Sequence, residues 1–517
     1  MLKLIKVLNN QQLYALYCTI VFLIMLPIVN QISFYQNDDW VYYLNVEYFL
    51  KGDFRLHPYL GPTFYTQGLL AAVFAKLFGI AKLPILTLLI AVSNIYIFGV
   101  IVLKHLKSNL TLTILLATIV FFNPIYVYLT LGFMTGHYFL LFLLLSIYIF
   151  LEFNTSDNKA YLYLLWIIIF AGLNVRQVAL AIPLSIGVYY IWGKKYKLGA
   201  VNFLIFGLYY YYYSYIFPLT PRIKEVPLQF HHLQEVDYLL AIIWGTLIML
   251  CAFLLPVWWS LVDLKKVSKY KYFILGMLAI LIWTLMIYTF KPATVSWGEF
   301  PYFENTFERT GYYPRGIAGT KYQFKGIYDL YKYWDLAAKV TLVISVAYIA
   351  ANKKFKELIN FYLIFGCVYI GMLLLTETFY DRYLLPLLPI TVLYILELKP
   401  KFTKMLFIAL TGFAVFLVYY GYTFSMDFVL SNKYIWEKSQ KLVKENNANP
   451  ESIHGTNAWK LTYRNYSRDY EYYFTYDSQH VNTELTTLYN LVEEKNIEFP
   501  FNLSVDPKIF LYQLKSD

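Results

Sequence analysis

The sequence predicts an all-α polytopic membrane protein of about thirteen transmembrane helices, with outer juxtamembrane helices and a small C-terminal extracytoplasmic α/β domain. Three observations predict it. Of 517 residues, 59% are hydrophobic and only 15% charged, more apolar surface than a soluble chain of this length buries. Apolar runs of roughly 20 residues recur along the chain. Lysine clusters occupy alternate loops between those runs, the asymmetry that sets membrane orientation.

Taken in order, Lys3 and Lys6 precede a first apolar run at about 12–32. It lacks a small-residue cleavage site and reads as an anchor, not a removed signal peptide. The first outer loop, 33–63, carries Asp38 and Asp39 side by side. An amphipathic helix at about 64–78 suits the membrane interface. Further spans are expected near 83–103, 109–130, 134–151, 161–173, 178–193, 198–217, 237–259, 272–290, 336–351, 358–376, 383–398 and 405–424. With the N-terminus inside, the clusters Lys194–Lys197, Lys265–Lys271, Lys353–Lys356 and Lys399–Lys404 all fall on the cytoplasmic side. The odd number of spans then places the polar tail, 425–517, outside. Alternation over 451–474 suits short strands there. The expected division is a transmembrane domain, 1–424, with a long outer loop at 291–335, and a soluble extracytoplasmic domain, 425–517.

Several functions are disfavoured. The net charge of +11 is scattered in short clusters between spans and forms no basic patch, so nucleic acid is not an expected partner. Cys18, Cys251 and Cys367 all lie in apolar runs, with neither metal-ligand spacing nor a disulfide framework. There is no glycine-rich phosphate loop, nucleophile elbow or His-Glu-x-x-His. The spans carry few ionisable groups at mid-depth, where an ion-coupled transporter would place them. The chemistry is therefore expected at the outer membrane–water boundary.

There, Asp38 and Asp39 are the first candidates. Adjacent carboxylates repel one another unless a cation, a metal or a substrate proton uses them. The plainer alternative is that Asn37 or Asp38 caps a short helix starting near Trp40. All eight arginines fall outside in this topology: Arg55, Arg176, Arg222, Arg309, Arg315, Arg382, Arg464 and Arg468. Since insertion favours basic residues inside, an anionic ligand on the outer face is the natural reason, because a guanidinium grips phosphate or carboxylate with a planar fork. The segment Tyr380-Asp381-Arg382-Tyr383 sets an Asp-Arg pair at the outer start of a helix, and the loop at Asn174-Val175-Arg176-Gln177 supplies another cation. His57 and His137 share the outer loops with these groups, as metal ligands, acceptor-orienting groups or ordinary interfacial residues.

The order and spacing of these segments resemble the GT-C superfamily of integral-membrane glycosyltransferases, in the branch of protein mannosyltransferases and aminoarabinose-type transferases. The resemblance rests on Asp38-Asp39 after the first span and on Tyr59-Leu60-Gly61-Pro62 through Gly79. It continues with Asn123-Pro124, Phe133-Met134-Thr135, Arg176-Gln177 with Pro183, and Tyr380 to Pro386, over about residues 10–400. It implies a cell-membrane enzyme that passes a sugar from a polyprenyl-phosphate donor to a protein, lipid or glycan acceptor, with inversion, on the extracytoplasmic face. Within it, Asp38 or Asp39 is the base and the other orients it. Arg382, Arg176 and Arg315 are the phosphate-binding candidates. Gln177, His57, His137, Tyr380 and Asp381 are the substrate-orienting ones. The chain departs from the pattern after Phe133-Met134-Thr135, where relatives often carry an acid and this chain has Gly136 and His137. No cofactor is implied with certainty, and a divalent metal stays open. The rival readings are a glycan polymerase or ligase using a lipid-pyrophosphate donor, and a lipid-glycan flippase.

Overall fold

The computed structural model describes residues 9–222, 236–263, 330–375, 380–463, 470–476, 487–503 and 507–515, with isolated positions at 234, 275, 276 and 278. Most of the expected span near 272–290 and residues 291–329 of the long loop, Arg315 among them, lie outside these residues.

The described chain is mostly helical. Its first helix, α1 (Asn10–Val29), opens on a reciprocal cap, with Asn9 and Gln12 each accepting the other's backbone N–H at 2.9 Å. Next come α2 (Asp39–Leu50) and α3 (Tyr65–Phe78), packed on one another. Along α3, Leu69, Val73 and Leu77 stay exposed, the apolar face that suits an interfacial helix. Then α4 (Leu83–Lys104) packs on α1. α5 (Leu110–Phe121) and α6 (Pro124–Thr130) meet at 67°. The bend falls at Asn123-Pro124. Proline has no N–H for the helix ladder, and the Asn123 side chain caps the new helix by accepting from Ile125 N–H at 3.1 Å.

The bundle continues with α7 (Thr135–Ser156), which packs on α4, and α8 (Lys159–Leu173), which packs on α7. After these come α9 (Ala181–Trp192), α10 (Tyr196–Tyr211), α11 (Val236–Phe253), α12 (Leu255–Trp259), α13 (Leu330–Asn352), α14 (Phe355–Leu358), α15 (Phe361–Leu374), α16 (Leu387–Glu397) and α17 (Lys404–Glu445). Four described helices are long and apolar enough to cross a membrane: α1, α4 with the turn before it, α7 and α17. A fifth is added if α5 and α6 form one bent span. α3, α8, α15 and α9 with the turn before it are apolar too, but have 14–16 residues. At 1.5 Å per residue they reach about 21–24 Å, short of a hydrocarbon core about 30 Å thick. Helices thus stand at most of the expected places, and several of them fall short of spanning length.

The helix α17 departs most from the sequence reading. α17 runs for 42 residues. That is about 63 Å, twice the hydrocarbon thickness. It passes straight through the boundary expected at 424. No glycine or proline interrupts 425–445. Its apolar side chains change partner instead, from the exposed Val415 and Val418 to the buried Phe428, Ile435 and Trp436.

Past α17 lie β1 (Ile453–His454), α18 (Asn457–Thr462), β2 (Tyr472–Tyr476), β3 (Tyr489–Asn496) and β4 (Lys508–Leu514). The strands form a four-stranded sheet of order β1-β2-β4-β3, parallel between β1 and β2 and antiparallel elsewhere. Glu493 ties the sheet to α17 by accepting from the Tyr434 hydroxyl at 2.6 Å and pairing with Lys438.

Candidate functional site

The stretch Gln36-Asn37-Asp38-Asp39 turns the chain from the end of α1 into α2. Asn37 takes a left-handed φ of 48°, which asparagine tolerates better than most residues. This turn sends the two adjacent carboxylates in different directions. Asp39 is 1% exposed. Its Oδ2 accepts the Phe133 N–H at 2.7 Å and the Gln36 N–H at 3.4 Å. Burial pushes the Asp39 carboxyl up to about 8, against those two backbone donors, which favour the anion. The Asp38 side chain is 40% exposed. It stands at the N-cap position of α2 yet makes no capping hydrogen bond. Its Oδ2 instead meets Arg382 Nη2 at 3.3 Å and Asn37 Nδ2 at 3.3 Å. The helix-cap alternative therefore holds for the position of Asp38 but not for a capping hydrogen bond.

Arg382 comes from the short 3₁₀ turn Asp381–Leu384. Its guanidinium lies 4.7 Å from the centroid of the Tyr380 ring. The expected pairing with Asp381 does not form. Asp381 is buried and accepts the Arg382 backbone N–H at 2.7 Å, while the guanidinium turns to Asp38. Arg176 lies 5.0 Å over the neighbouring Tyr383 ring. The buried Tyr42 hydroxyl joins the set. Burial raises its pKa, Asp38 raises it further, Arg176 and Arg382 oppose, and Asp39 adds a smaller upward push. One phenol thus senses both carboxylates and both arginines, so the four groups share one locality.

The other candidates spread more widely. Gln177 begins the turn after Arg176 and holds a buried Oε1 with no hydrogen-bond partner. His57 belongs to an aromatic cluster with Trp40 and Tyr59, at ring distances of 5.8 and 5.7 Å. His137 sits in the core of α7, fully buried, with Nε2 3.0 Å from both the Tyr126 carbonyl and the Thr130 hydroxyl. Its hydrogen-bond partners thus both belong to α6. Among the described residues, no three His, Cys, Asp or Glu side chains gather to hold a metal. Of the other described arginines, Arg55 makes a local surface pair with Asp53 at 2.7 Å, and Arg222 is exposed.

Three supporting residues escaped the sequence reading. Gln36 donates through Nε2 to the Tyr128 carbonyl at 2.9 Å, clamping the loop that Asp39 also holds. Gly132 fills the space beneath that clamp. A Cβ there would stand 2.0 Å from Gln36 Oε1 and 2.6 Å from Asp39 Oδ2. A glycine between bulky neighbours, Leu131-Gly132-Phe133, was the available signal of a close approach. Asn457 of α18 donates to Asn37 Oδ1 at 2.6 Å, joining the C-terminal unit to the turn. That contact spans 420 residues and had no local signal.

No protein-family model, curated protein or solved structure matches the chain. Fold and site alone define its class: a helical protein with helices of membrane-spanning length, carrying an open Asp–Arg pair just beyond the first of them.

Proposed function

We propose that this chain is a membrane glycosyltransferase that moves a sugar from a polyprenyl-phosphate donor to an acceptor hydroxyl, with inversion. The observation that carries the reading is the Asp38–Arg382 pair. A carboxylate at 40% exposure, uncommitted to capping, faces a largely buried guanidinium at 3.3 Å with a second arginine close by. Such an arrangement offers a proton acceptor and fixed positive charge within one site.

In the proposed reaction the acceptor oxygen attacks the anomeric carbon as its proton passes to Asp38. The bond from that carbon to the phosphate oxygen breaks, and its electron pair leaves on the polyprenyl phosphate. Arg382 and Arg176 meet the negative charge that builds on this leaving group. A guanidinium has five N–H donors, so its contact with Asp38 leaves others to point at phosphate. Asp39 is a positioning residue: it fixes the start of α2 against the Phe133 loop and so aims Asp38. Tyr380 and Tyr383 hold the guanidinium planes. The reading includes a multi-pass protein whose site faces the extracytoplasmic side.

The test is transfer from radiolabelled polyprenyl-phosphate sugars by purified protein in nanodiscs, with Asp38→Asn and Arg382→Ala compared at equal folded amounts. Transfer or hydrolysis of one donor, lost in Asp38→Asn with donor binding retained, supports the reading. Wild-type turnover in both variants sinks it. Turnover of lipid-pyrophosphate donors alone moves the chain to the polymerase reading.

A further inference from the structure

Residues 497–503, which follow β3, have a feature that the proposed reaction does not use. Phe501 is 80% exposed and Leu503 86% exposed, an unusual pair at the tip of a small sheet. Phe501 also takes a φ of 58°, a backbone conformation that bulky residues rarely adopt. Two tethers flank it. Tyr422 Oη donates to the Pro500 carbonyl at 2.9 Å, and the Leu503 N–H donates to Tyr419 Oη at 3.1 Å. Both tyrosines belong to α17, and Phe501 lines one apolar groove of about 530 Å³ with Leu115 of α5 and Val415 and Val418 of α17.

The depth of the tether is informative. α17 is of spanning length and composition, and Met405, Ile408 and Val415 expose its apolar stripe. Tyr419 lies about 22 Å along the axis from Lys404 at 1.5 Å per residue, still inside a hydrocarbon core about 30 Å thick. Helical side chains also lean toward the N-terminus, which carries the Tyr419 hydroxyl deeper. The loop is therefore held beside the lipid-facing stripe, not above it.

We propose that the β3–β4 tip is a membrane-seated wedge, with Phe501 and Leu503 buried among lipid tails of the leaflet on the sheet's side. The occupant of the groove's mouth is bilayer lipid, because the groove is continuous with the face of α17 that a membrane must cover. The wedge gives the C-terminal unit a second anchor besides α17 itself. It keeps the sheet pressed to the bilayer while Asn457 of the same unit contacts Asn37 beside Asp38. This inference rests on α17 crossing a membrane, not on the chemistry of the site.

The test uses a cysteine-free variant carrying Phe501→Cys, Leu503→Cys or, as a control on exposed β3, Lys495→Cys. Each is labelled with an environment-sensitive fluorophore and reconstituted into phosphatidylcholine vesicles. Spin-labelled lipids are expected to cut emission at 501 and 503 at least twofold while aqueous iodide leaves it nearly unchanged. The reverse is expected at 495. Iodide quenching at 501 and 503 as strong as at 495 overturns the proposal. Protection from both quenchers also overturns it, by placing protein, such as a second copy of the chain, over the tip. Because both side chains are mostly exposed, their replacement leaves the fold intact, which the elution profile of each variant checks.

Discussion

Two ion-paired carboxylates among the described residues of the bundle, Glu152 and Asp38, are built differently. At one end of α4 and α7, Glu152 pairs with Lys104 and lies 3.0 Å from His105, with its side chain 10% exposed. Both partners come from adjacent positions at the end of α4, and they cover the carboxylate, while the Lys104 side chain stays 43% exposed. Asp38 has its side chain 40% exposed and meets Arg382 at 3.3 Å, from a segment 344 residues away. A carboxylate covered by its partners holds helices together. An exposed one, paired across distant segments to a buried guanidinium and backed by a second arginine, has room for something else to take the place of water. On the proposed function, Glu152 is a fastening and Asp38 a tool.

Exchanging each carboxylate for its amide sharpens the contrast. Asp38→Asn is expected to lower sugar transfer by about a hundredfold or more, the usual loss when a general base is removed. Its apparent melting temperature should stay near that of wild type. Glu152→Gln is expected to destabilise by about 1–3 kcal/mol, because Lys104 and His105 lose a charged acceptor. Its transfer rate per folded molecule should stay near wild type. Transfer assays and thermal unfolding on both variants decide the matter, and an exchange of the two phenotypes would break the comparison.

Arg382→Lys asks whether the open pair needs a fork or only a charge. Losing one charge-assisted hydrogen bond, about 1.5–3 kcal/mol, should weaken donor binding about ten- to a hundredfold. Donor titration with the lysine variant tests it, and an unchanged affinity would reduce Arg382 to a counter-ion for Asp38.

Much of the helical scaffold was legible because apolar runs and their breaks are local. Asp38-Asp39, Arg176 and Arg382 could be chosen from residue type and neighbourhood, whereas the expected single span at 109–130 ran through the bend that Asn123-Pro124 makes between α5 and α6. What could not be read was how Asp38 and Asp39 divide. That depends on the Phe133 N–H, which captures Asp39 from 94 residues away. The partner of Arg382 was missed for the same reason, since a carboxylate next in sequence looked nearer than one across the bundle. Hydrophobicity falls past 424, but no glycine or proline there breaks a helix, so α17 continues to Glu445.

Gly132→Ala probes the clamp behind the pair. The new methyl would press on Gln36 and Asp39. An overpacked site of this kind loses about 1–3 kcal/mol, and transfer should fall because Asp38 loses its aim. Unfolding and transfer measured together check it. Full activity at reduced stability would show that the clamp does not set the position of Asp38.

The last test concerns Asp39 alone and uses pH. Burial holds the folded Asp39 carboxyl at about 8. An unfolded aspartate titrates near about 3.9. Between these values the folded chain keeps a proton that the unfolded chain has released. Asp39 therefore favours the folded state most fully below pH ~4, and its contribution is lost as pH rises through ~8. In Asp39→Asn the side-chain oxygen can still accept the Phe133 N–H, but nothing titrates there. The gap in apparent melting temperature between wild type and this variant should shift against wild type from pH 5 to pH 8. A gap that stays flat would mean that Asp39 is ionised throughout, leaving two adjacent anions and making Asp39 as good a proton acceptor as Asp38.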